Sequence, residues 1–215
     1  GGGAGGGLLR RGLVATDARG AVVTNVSAGH FGEYGIHSLD DIAAVKLVVA
    51  KALAPDGLLV LNADDPMLVA HAPAGRRTGW FALDLQDAAT RGLPACGVRE
   101  GRLVLATDEG EHDLGAVAAM PLSVGGAARY NIANIAAAAL AAHALGIAPA
   151  TIAGVLAGFG ARNADNPGRL QRWTLGDVEV LLDYAHNPDG LQGLLDVAAG
   201  LRRGGRLALL LGHAG

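Results

Sequence analysis

The chain has 215 residues, of which 51% are hydrophobic and 17% are charged, so it can bury a sizeable core as one large domain or as one domain with part of another. The net charge is −3 and no basic run exceeds two residues, which argues against a nucleic-acid-binding surface and a polybasic membrane patch. The single cysteine, Cys96, cannot form an internal disulfide and suits a reducing cytoplasm.

The first part of the chain alternates between strand and helix patterns. Residues 21–26 and 58–62 are short β-rich apolar runs, which predict buried strands, and residues 42–53 carry a helical apolar stripe between them. Ser38 and Asp41 have the spacing of a capping box at the start of that helix. This strand–helix–strand order predicts an α/β fold with a parallel sheet.

Polar side chains follow both predicted strands. His30 comes shortly after the first strand, and Asn62, Asp64 and Asp65 end the second. Lys46 borders the apolar face of the helix between them, where a lysine usually packs its stem on the apolar surface and keeps its ammonium in water. The carboxyl ends of strands in α/β proteins commonly hold nucleotide or metal sites, but each of these residues is a weak signal by itself.

The sequence pattern changes after residue 78. Residues 79–83 predict a strand, residues 96–105 predict a hairpin, and residues 120–124 predict an edge strand. We therefore expect a small, partly antiparallel subdomain in this region.

A long helix is predicted over residues 132–145. Asn131 stands at its start, where an asparagine can cap the helix, whereas Asn134 lies one turn further on and has no capping role. A second helix is predicted over residues 150–159, and the polar segment 162–168 is typical of a linker.

The last third of the chain contains a strand that leads into a helix. Residues 168–183 predict a hairpin whose second strand is buried and delivers Asp183 and His186 into a short turn. The following helix can be capped by Asn187 or by Asp189. By itself this pattern fits an ordinary capped strand–helix junction, but a carboxylate in this position is also typical of nucleotide and metal sites.

Four short motifs, taken in chain order, resemble those of one enzyme family. They are Asn-Ala-Asp-Asp-Pro at residues 62–66, Tyr-Asn-x-x-Asn at 130–134, Pro-Gly-Arg at 167–169 and Asp-Tyr-Ala-His-Asn-Pro at 183–188. Together they resemble the Mur ligase superfamily of ATP-dependent amide ligases, and the surrounding sequence is most similar to the Mur-ligase portion of cyanophycin synthetases. The resemblance covers essentially the whole chain.

The resemblance implies a division into two parts. Residues 1–166 would form the central, ATP-binding domain, with a mostly parallel sheet, flanking helices and a small antiparallel subdomain. Residues 167–215 would begin a Rossmann-like C-terminal domain.

The resemblance also implies a reaction and its cofactors. ATP would phosphorylate a carboxylate substrate, and an amino acid or another amine would attack the acyl phosphate to form an amide. His30 and, if carbamylated, Lys46 would bind Mg²⁺ and act in catalysis, because a carbamate offers the anionic oxygen that this ion prefers. Asn62, Asp64 and Asp65 would line the nucleotide site.

The second half of the implied nucleotide site comes from the later motifs. Asn131 and Asn134 would hold the region of the base. Arg169 and Asp183 would contact phosphate and ribose, and His186 would line the site. The resemblance leaves the substrates and the oligomeric state open.

The sequence departs from the family pattern at several points. The phosphate loop G-x-x-G-K-[ST] is missing, since neither Lys46 nor Lys51 follows a glycine. Gly2 and Gly5 stand where relatives carry a metal-binding glutamate and an arginine, and residues 207–212 predict a strand with nothing after it to cover it. We therefore expect a piece of a larger ligase that is inactive by itself; the alternative is a non-catalytic nucleotide-binding or scaffolding module.

Overall fold

The computed structural model describes residues 16–27 and 37–212, and within them six strands form one sheet in chain order. The strands are β1 (Ala18–Val23), β2 (Leu53–Asn62), β3 (Thr78–Asp84), β4 (Ala95–Arg99), β5 (Arg102–Thr107) and β6 (Gly110–Ala116). The first four run parallel, and β5 and β6 continue the sheet antiparallel at its edge. The predicted α/β fold with a mostly parallel sheet is confirmed, and the antiparallel strands belong to the same sheet.

Six α-helices lie within the described residues. They are α1 (Leu39–Leu47), α2 (Pro66–Ala70), α3 (Leu85–Ala89), α4 (Arg129–Ala144), α5 (Pro149–Leu156) and α6 (Pro188–Leu201). The predicted capping box starts α1, since Ser38 Oγ accepts from the Asp41 amide at 3.1 Å and Asp41 Oδ2 accepts from the Ser38 amide at 3.0 Å. None of these helices has the length and apolar content needed to span a bilayer.

Strand β2 separates two hydrophobic cores. Its side chains alternate, so Leu59 and Leu61 join the core that includes α1, α2 and α3, while Leu58 and Val60 join the core under α4 and α5. A parallel strand that is covered on both faces needs a continuous apolar run, which explains the Leu-Leu-Val-Leu sequence. This double cover holds the carboxyl end of β2 firmly in place.

A smaller unit follows the main sheet. It consists of an antiparallel hairpin, β7 (Gln171–Leu175) and β8 (Val178–Leu182), and of α6. The predicted hairpin is confirmed, but the prediction that β8 is buried is wrong, because Val178 is 59% exposed and Leu182 is 49% exposed. The buried cluster at this unit is small: Val197 of α6 packs with Leu170, just before β7, and with Ala128, just before α4. The boundary at residues 166 and 167 stays a prediction.

Two further predictions of strands are wrong. Residues 120–124 lie in a tight helical turn, Pro121–Ser123, where the hydroxyl of Ser123 donates to the Val117 carbonyl at 2.6 Å. The strand in this region is β6, which precedes residues 120–124 and was not predicted because its polar sequence shows no apolar alternation. Residues 207–212 form no ladder with another described residue, and Leu210 is 96% exposed. A strand is stable only when its backbone groups find partners, and this segment pairs with none in the described part of the chain.

Candidate functional site

Asn62 and Asp64 bind the two strands beside β2. The Asn62 side-chain amide donates to the Thr24 carbonyl, just beyond β1, at 3.0 Å. Asp64 Oδ2 accepts from the Leu83 amide of β3 at 2.8 Å. The backbone pairing of β1 with β2 ends at Val23 and Leu61, and that of β2 with β3 ends at Asn62 and Phe81. The side chains of Asn62 and Asp64 therefore continue the contact between the strands beyond the backbone ladders.

Asp65 is a buried helix cap, with 8% of its surface exposed. Its Oδ1 accepts from the amides of Met67 at 2.9 Å and Leu68 at 3.1 Å, at the start of α2. Its Oδ2 accepts from the Val26 amide beyond β1. The cap follows from the Asp-Pro sequence, because proline is well suited to the first helical position and aspartate to the position before it. These contacts give Asp65 a structural role, and its predicted contact with a nucleotide stays a prediction.

Lys46 is half-buried, and its amine reaches the same edge of the sheet. The Nζ atom donates to the Asn25 carbonyl at 2.7 Å. Burial lowers the pKa of this amine below the ordinary lysine value, while the charges of Asp65 and Asp189 act in the opposite direction. Asp189 belongs to the first turn of α6, so Lys46 is within electrostatic reach of the smaller unit.

A second group of predicted residues surrounds a cavity of about 300 Å³. The cavity lies between the start of α4, the segment before β7 and the turn that leads into α6. Five of its lining residues are the ones predicted from the later motifs, namely Asn131, Asn134, Arg169, Asp183 and His186. The structure therefore brings these five together, although they come from three separate segments of the chain.

Asp183 is held in the cavity wall by two backbone hydrogen bonds. Its Oδ2 accepts from the Leu170 amide at 2.8 Å, and its Oδ1 accepts from the Ala185 amide at 2.9 Å. The helix that follows is capped by Asn187, whose side chain accepts from the Gly190 amide at 2.8 Å. Asn187 also lines the cavity, so this residue both caps the helix and contributes to the cavity wall.

The two asparagines of α4 have different surroundings. The helix begins at Arg129, so Asn131 lies within its first turn, and the prediction that it can cap the helix is wrong. Asn131 is buried, and its amide donates to the Leu122 carbonyl at 3.0 Å. Asn134 is exposed in the cavity wall. Its amide makes no hydrogen bond to another described residue, which leaves it available to a ligand.

Arg169 lies over an aromatic ring that the sequence analysis did not single out. Its guanidinium carbon is 5.2 Å from the centre of the Tyr184 ring, a distance typical of a cation–π contact. The centre of the His186 ring is 5.1 Å from that of Tyr184. Tyr184 therefore supports both cavity residues, and its place inside the Asp-Tyr-Ala-His-Asn-Pro motif was the signal for it.

Tyr130 also lines the cavity and was not predicted as a site residue. Its hydroxyl is buried and has no hydrogen-bond partner within the described residues. Burial and the charge of Asp183 raise the pKa of this phenol, so it stays neutral at physiological pH. Its sequence signal was its position directly before Asn131.

A larger cavity of about 500 Å³ adjoins the first one and shares Asn131, Asn166 and Arg169 with it. Its outer wall includes Trp173 and Arg172 of the hairpin. The two cavities thus form one cleft between the main sheet and the smaller unit.

The cleft has the donor set for a nucleotide. Asn134 can donate and accept hydrogen bonds, Arg169 supplies a positive charge, and Asp183 keeps free lone pairs beside its two backbone contacts. For Mg²⁺ the described residues do not provide a site, because no three His, Cys, Asp or Glu side chains of residues 16–27 and 37–212 lie close enough to share an ion. His30 lies outside the described residues, so its predicted role is untested.

Residues 7–142 match the family described as the Mur ligase middle domain. A cyanophycin synthetase from Nostoc sp. is 36% identical over 189 residues, which are 85% of this chain and 21% of that protein. A UDP-N-acetylmuramate–L-alanine ligase from Kineococcus radiotolerans is 33% identical over 193 residues, 88% of this chain and 38% of that protein. The chain therefore spans about a fifth of the cyanophycin synthetase.

Solved structures with a similar fold include MurF from Acinetobacter baumannii, with a TM-score of 0.61 and 20% identity over 86% of this chain and 38% of that one. The apo form of Lactobacillus casei FPGS has a TM-score of 0.57 and 22% identity over 86% of this chain and 42% of that one. At these identities the two likenesses support the fold alone.

Proposed function

Because the chain belongs to the Mur ligase family, we propose that it is the nucleotide-binding part of an ATP-dependent ligase that joins a carboxylate substrate to an amine. One observation carries the proposal: five side chains from three separate segments converge on one cavity that offers amide, guanidinium and carboxylate groups. In the proposed reaction the terminal phosphoryl group of ATP passes to the carboxylate, and the amine displaces phosphate from the acyl phosphate to form the amide.

Each cavity residue has a proposed role that follows from its chemistry. Asn134 offers an unpaired amide to the edge of the base, and Asn131 fixes the wall beside it through its bond to Leu122. Asp183 accepts from the sugar hydroxyls with its remaining lone pairs. Arg169 binds a phosphate oxygen, since guanidinium groups suit such contacts, and His186 closes the cavity beside it.

The proposed magnesium ligands are His30 and a carbamate on Lys46. Magnesium would supply positive charge to the phosphates when it is bound. Only a neutral amine can react with carbon dioxide, and the burial that lowers the pKa of Lys46 increases the neutral fraction. These two assignments rest on the family resemblance, as do the nucleotide-binding roles proposed for Asn62, Asp64 and Asp65.

Nucleotide binding is tested on the 215-residue chain by calorimetry and by NMR titration with Mg-ATP. We expect weak binding that falls at least about tenfold in Asn134→Ala and in Arg169→Gln, which is about 1.4 kcal/mol. Gln86→Ala and Arg91→Gln are matched controls, because both residues are exposed and lie outside the cavity. Equal affinities in all five proteins would refute the assignment of this cavity.

The ligase activity is tested on this chain together with any further sequence that its gene encodes. We expect ADP release that requires both an acidic substrate and an amino acid. No turnover across a broad panel of acceptors would overturn the ligase proposal. Submicromolar binding of Mg-ATP to the 215-residue chain, combined with no turnover, would favour the non-catalytic nucleotide-binding module.

A further inference from the structure

Tyr130 carries the one buried side-chain polar atom without a partner in the described part of the chain. Buried hydroxyls in folded proteins nearly always have a hydrogen-bond partner, because an unmade bond leaves the cost of desolvation uncompensated. The unpaired hydroxyl lies at the cavity, beside residues that we propose bind a nucleotide. We therefore look for the hydrogen-bond partner of this hydroxyl in the nucleotide-bound state.

The ring of Tyr130 joins α4 to the smaller unit. A methyl group added at Gly193 of α6 would come within 2.9 Å of the ring atom Cδ1, so glycine is required for the helix to approach this closely. The ring also packs against the small core that contains Leu170 and Val197. These contacts hold the ring in place at the wall of the cavity.

Asp183 is a carboxylate acceptor that lines the same cavity as Tyr130. The charge of Asp183 raises the pKa of the Tyr130 phenol. Each carboxylate oxygen of Asp183 accepts one backbone hydrogen bond, which leaves further lone pairs free to accept another. The charge of Arg169, which also lines the cavity, lowers the pKa of the phenol. A hydroxyl donating to a carboxylate is among the stronger hydrogen bonds in proteins.

We propose that Tyr130 is a positioning residue for nucleotide binding: when a nucleotide occupies the cavity, the phenol O–H donates to the Asp183 carboxylate and fixes it against the ligand. This inference rests on the proposed function. The hydroxyl adds nothing to the empty state, where it has no partner, and contributes only when the cavity is filled. Its contribution therefore separates ligand affinity from the stability of the empty protein.

The test is Tyr130→Phe, which keeps the ring against Gly193 and removes only the hydroxyl. We expect the affinity for Mg-ATP to fall about tenfold, the effect of one hydrogen bond to a charged group. The melting temperature without nucleotide should stay unchanged or rise, because an unpaired buried group is lost. Thr151→Val is the control, since it deletes an exposed hydroxyl on α5 that does not line the cavity.

A double-mutant cycle with Asp183→Asn identifies the partner. If Tyr130 acts through Asp183, then Tyr130→Phe weakens binding much less in the Asp183→Asn protein than in the wild type. Equal losses in both backgrounds would overturn the assignment. Hydrogen exchange gives a second measurement that needs no Asp183 variant: Mg-ATP should protect the Leu170 and Ala185 amides in the wild type and protect them less in Tyr130→Phe. Equal protection would contradict the proposal.

The outcomes separate this inference from the proposed function. If the wild type binds Mg-ATP and Tyr130→Phe binds it equally well, the role of Tyr130 is refuted and the nucleotide site stands. If the wild type binds no Mg-ATP by calorimetry or NMR, both are refuted.

Discussion

Replacing Asp65 tests whether the strand-end carboxylates are structural or bind a ligand. Two variants of Asp65 divide its contacts, and a third variant serves as the control. Asp65→Ala removes the helix cap and the bond to Val26, whereas Asp65→Ser keeps a good cap residue but is too short to reach Val26. Asp84→Ala is the control, because Asp84 is an exposed cap on α3 that accepts from Gln86.

The magnitudes follow from the contacts. A lost cap costs about 1 kcal/mol. Leaving the Val26 amide without its charged acceptor costs a further ~1–3 kcal/mol, because that amide is then unpaired. Asp65→Ala should therefore lower the free energy of unfolding by about 2–4 kcal/mol. Asp65→Ser should recover about 1 kcal/mol of this loss, and Asp84→Ala should cost only about 1 kcal/mol.

The assay is urea denaturation followed by circular dichroism, with nucleotide titration of each variant that stays folded. A loss below about 1 kcal/mol in Asp65→Ala would refute the structural role, since the cap alone accounts for that much. A stable Asp65→Ala protein that has lost nucleotide binding would instead support the family-based prediction that Asp65 lines the nucleotide site.

Three other predictions follow from the described residues. Gly97→Ala should destabilise the fold by several kcal/mol, because its methyl group would come within 2.7 Å of the Leu85 backbone. Gly154→Ala, in open space on α5, should instead stabilise the fold by about 0.5–1 kcal/mol, and urea titration compares the two variants. The Lys46 amine, followed by NMR after methylation, should titrate below the ordinary lysine pKa. The folded chain then binds this proton less tightly than the unfolded chain, so the free energy of unfolding should rise with pH just below the ordinary lysine pKa. Lys46→Met should abolish this rise. Cys96 should resist thiol reagents until the chain is unfolded, because complete burial raises its pKa; rapid labelling of the native protein would contradict this.

The main strands and helices could be predicted from the sequence where their patterns were strong. The run at β2 and the capping residues of α1 are local signals, and the structure confirms both. Strand β6 could not be predicted, because an edge strand pairs through its backbone and needs no apolar alternation. The start of α4 was misplaced, because its first residues lack a capping side chain.

The cavity residues could be predicted only together, from several short motifs that occur in the same order as in the Mur ligase family. Sequence spacing does not reveal which side chains are already committed to the backbone, so the contacts of Asp65 and Asn131 could not be foreseen. Tyr130 was missed for a related reason. Its significance depends on the lack of a partner, and that is a property of the three-dimensional arrangement.

The side-chain bonds of Asn62 and Asp64 have a consequence for the edge of the sheet. Strands in a twisted sheet diverge at their ends, and the last residues of a ladder are the first to fray. Here Asn62 at the end of β2 and Asp64 just after it reach across to Thr24 and Leu83, beyond the last backbone pairs of β2 with its neighbours. The ends of the three strands are thus joined by side-chain hydrogen bonds at the edge where the Lys46 amine lies, and we expect this edge to resist fraying.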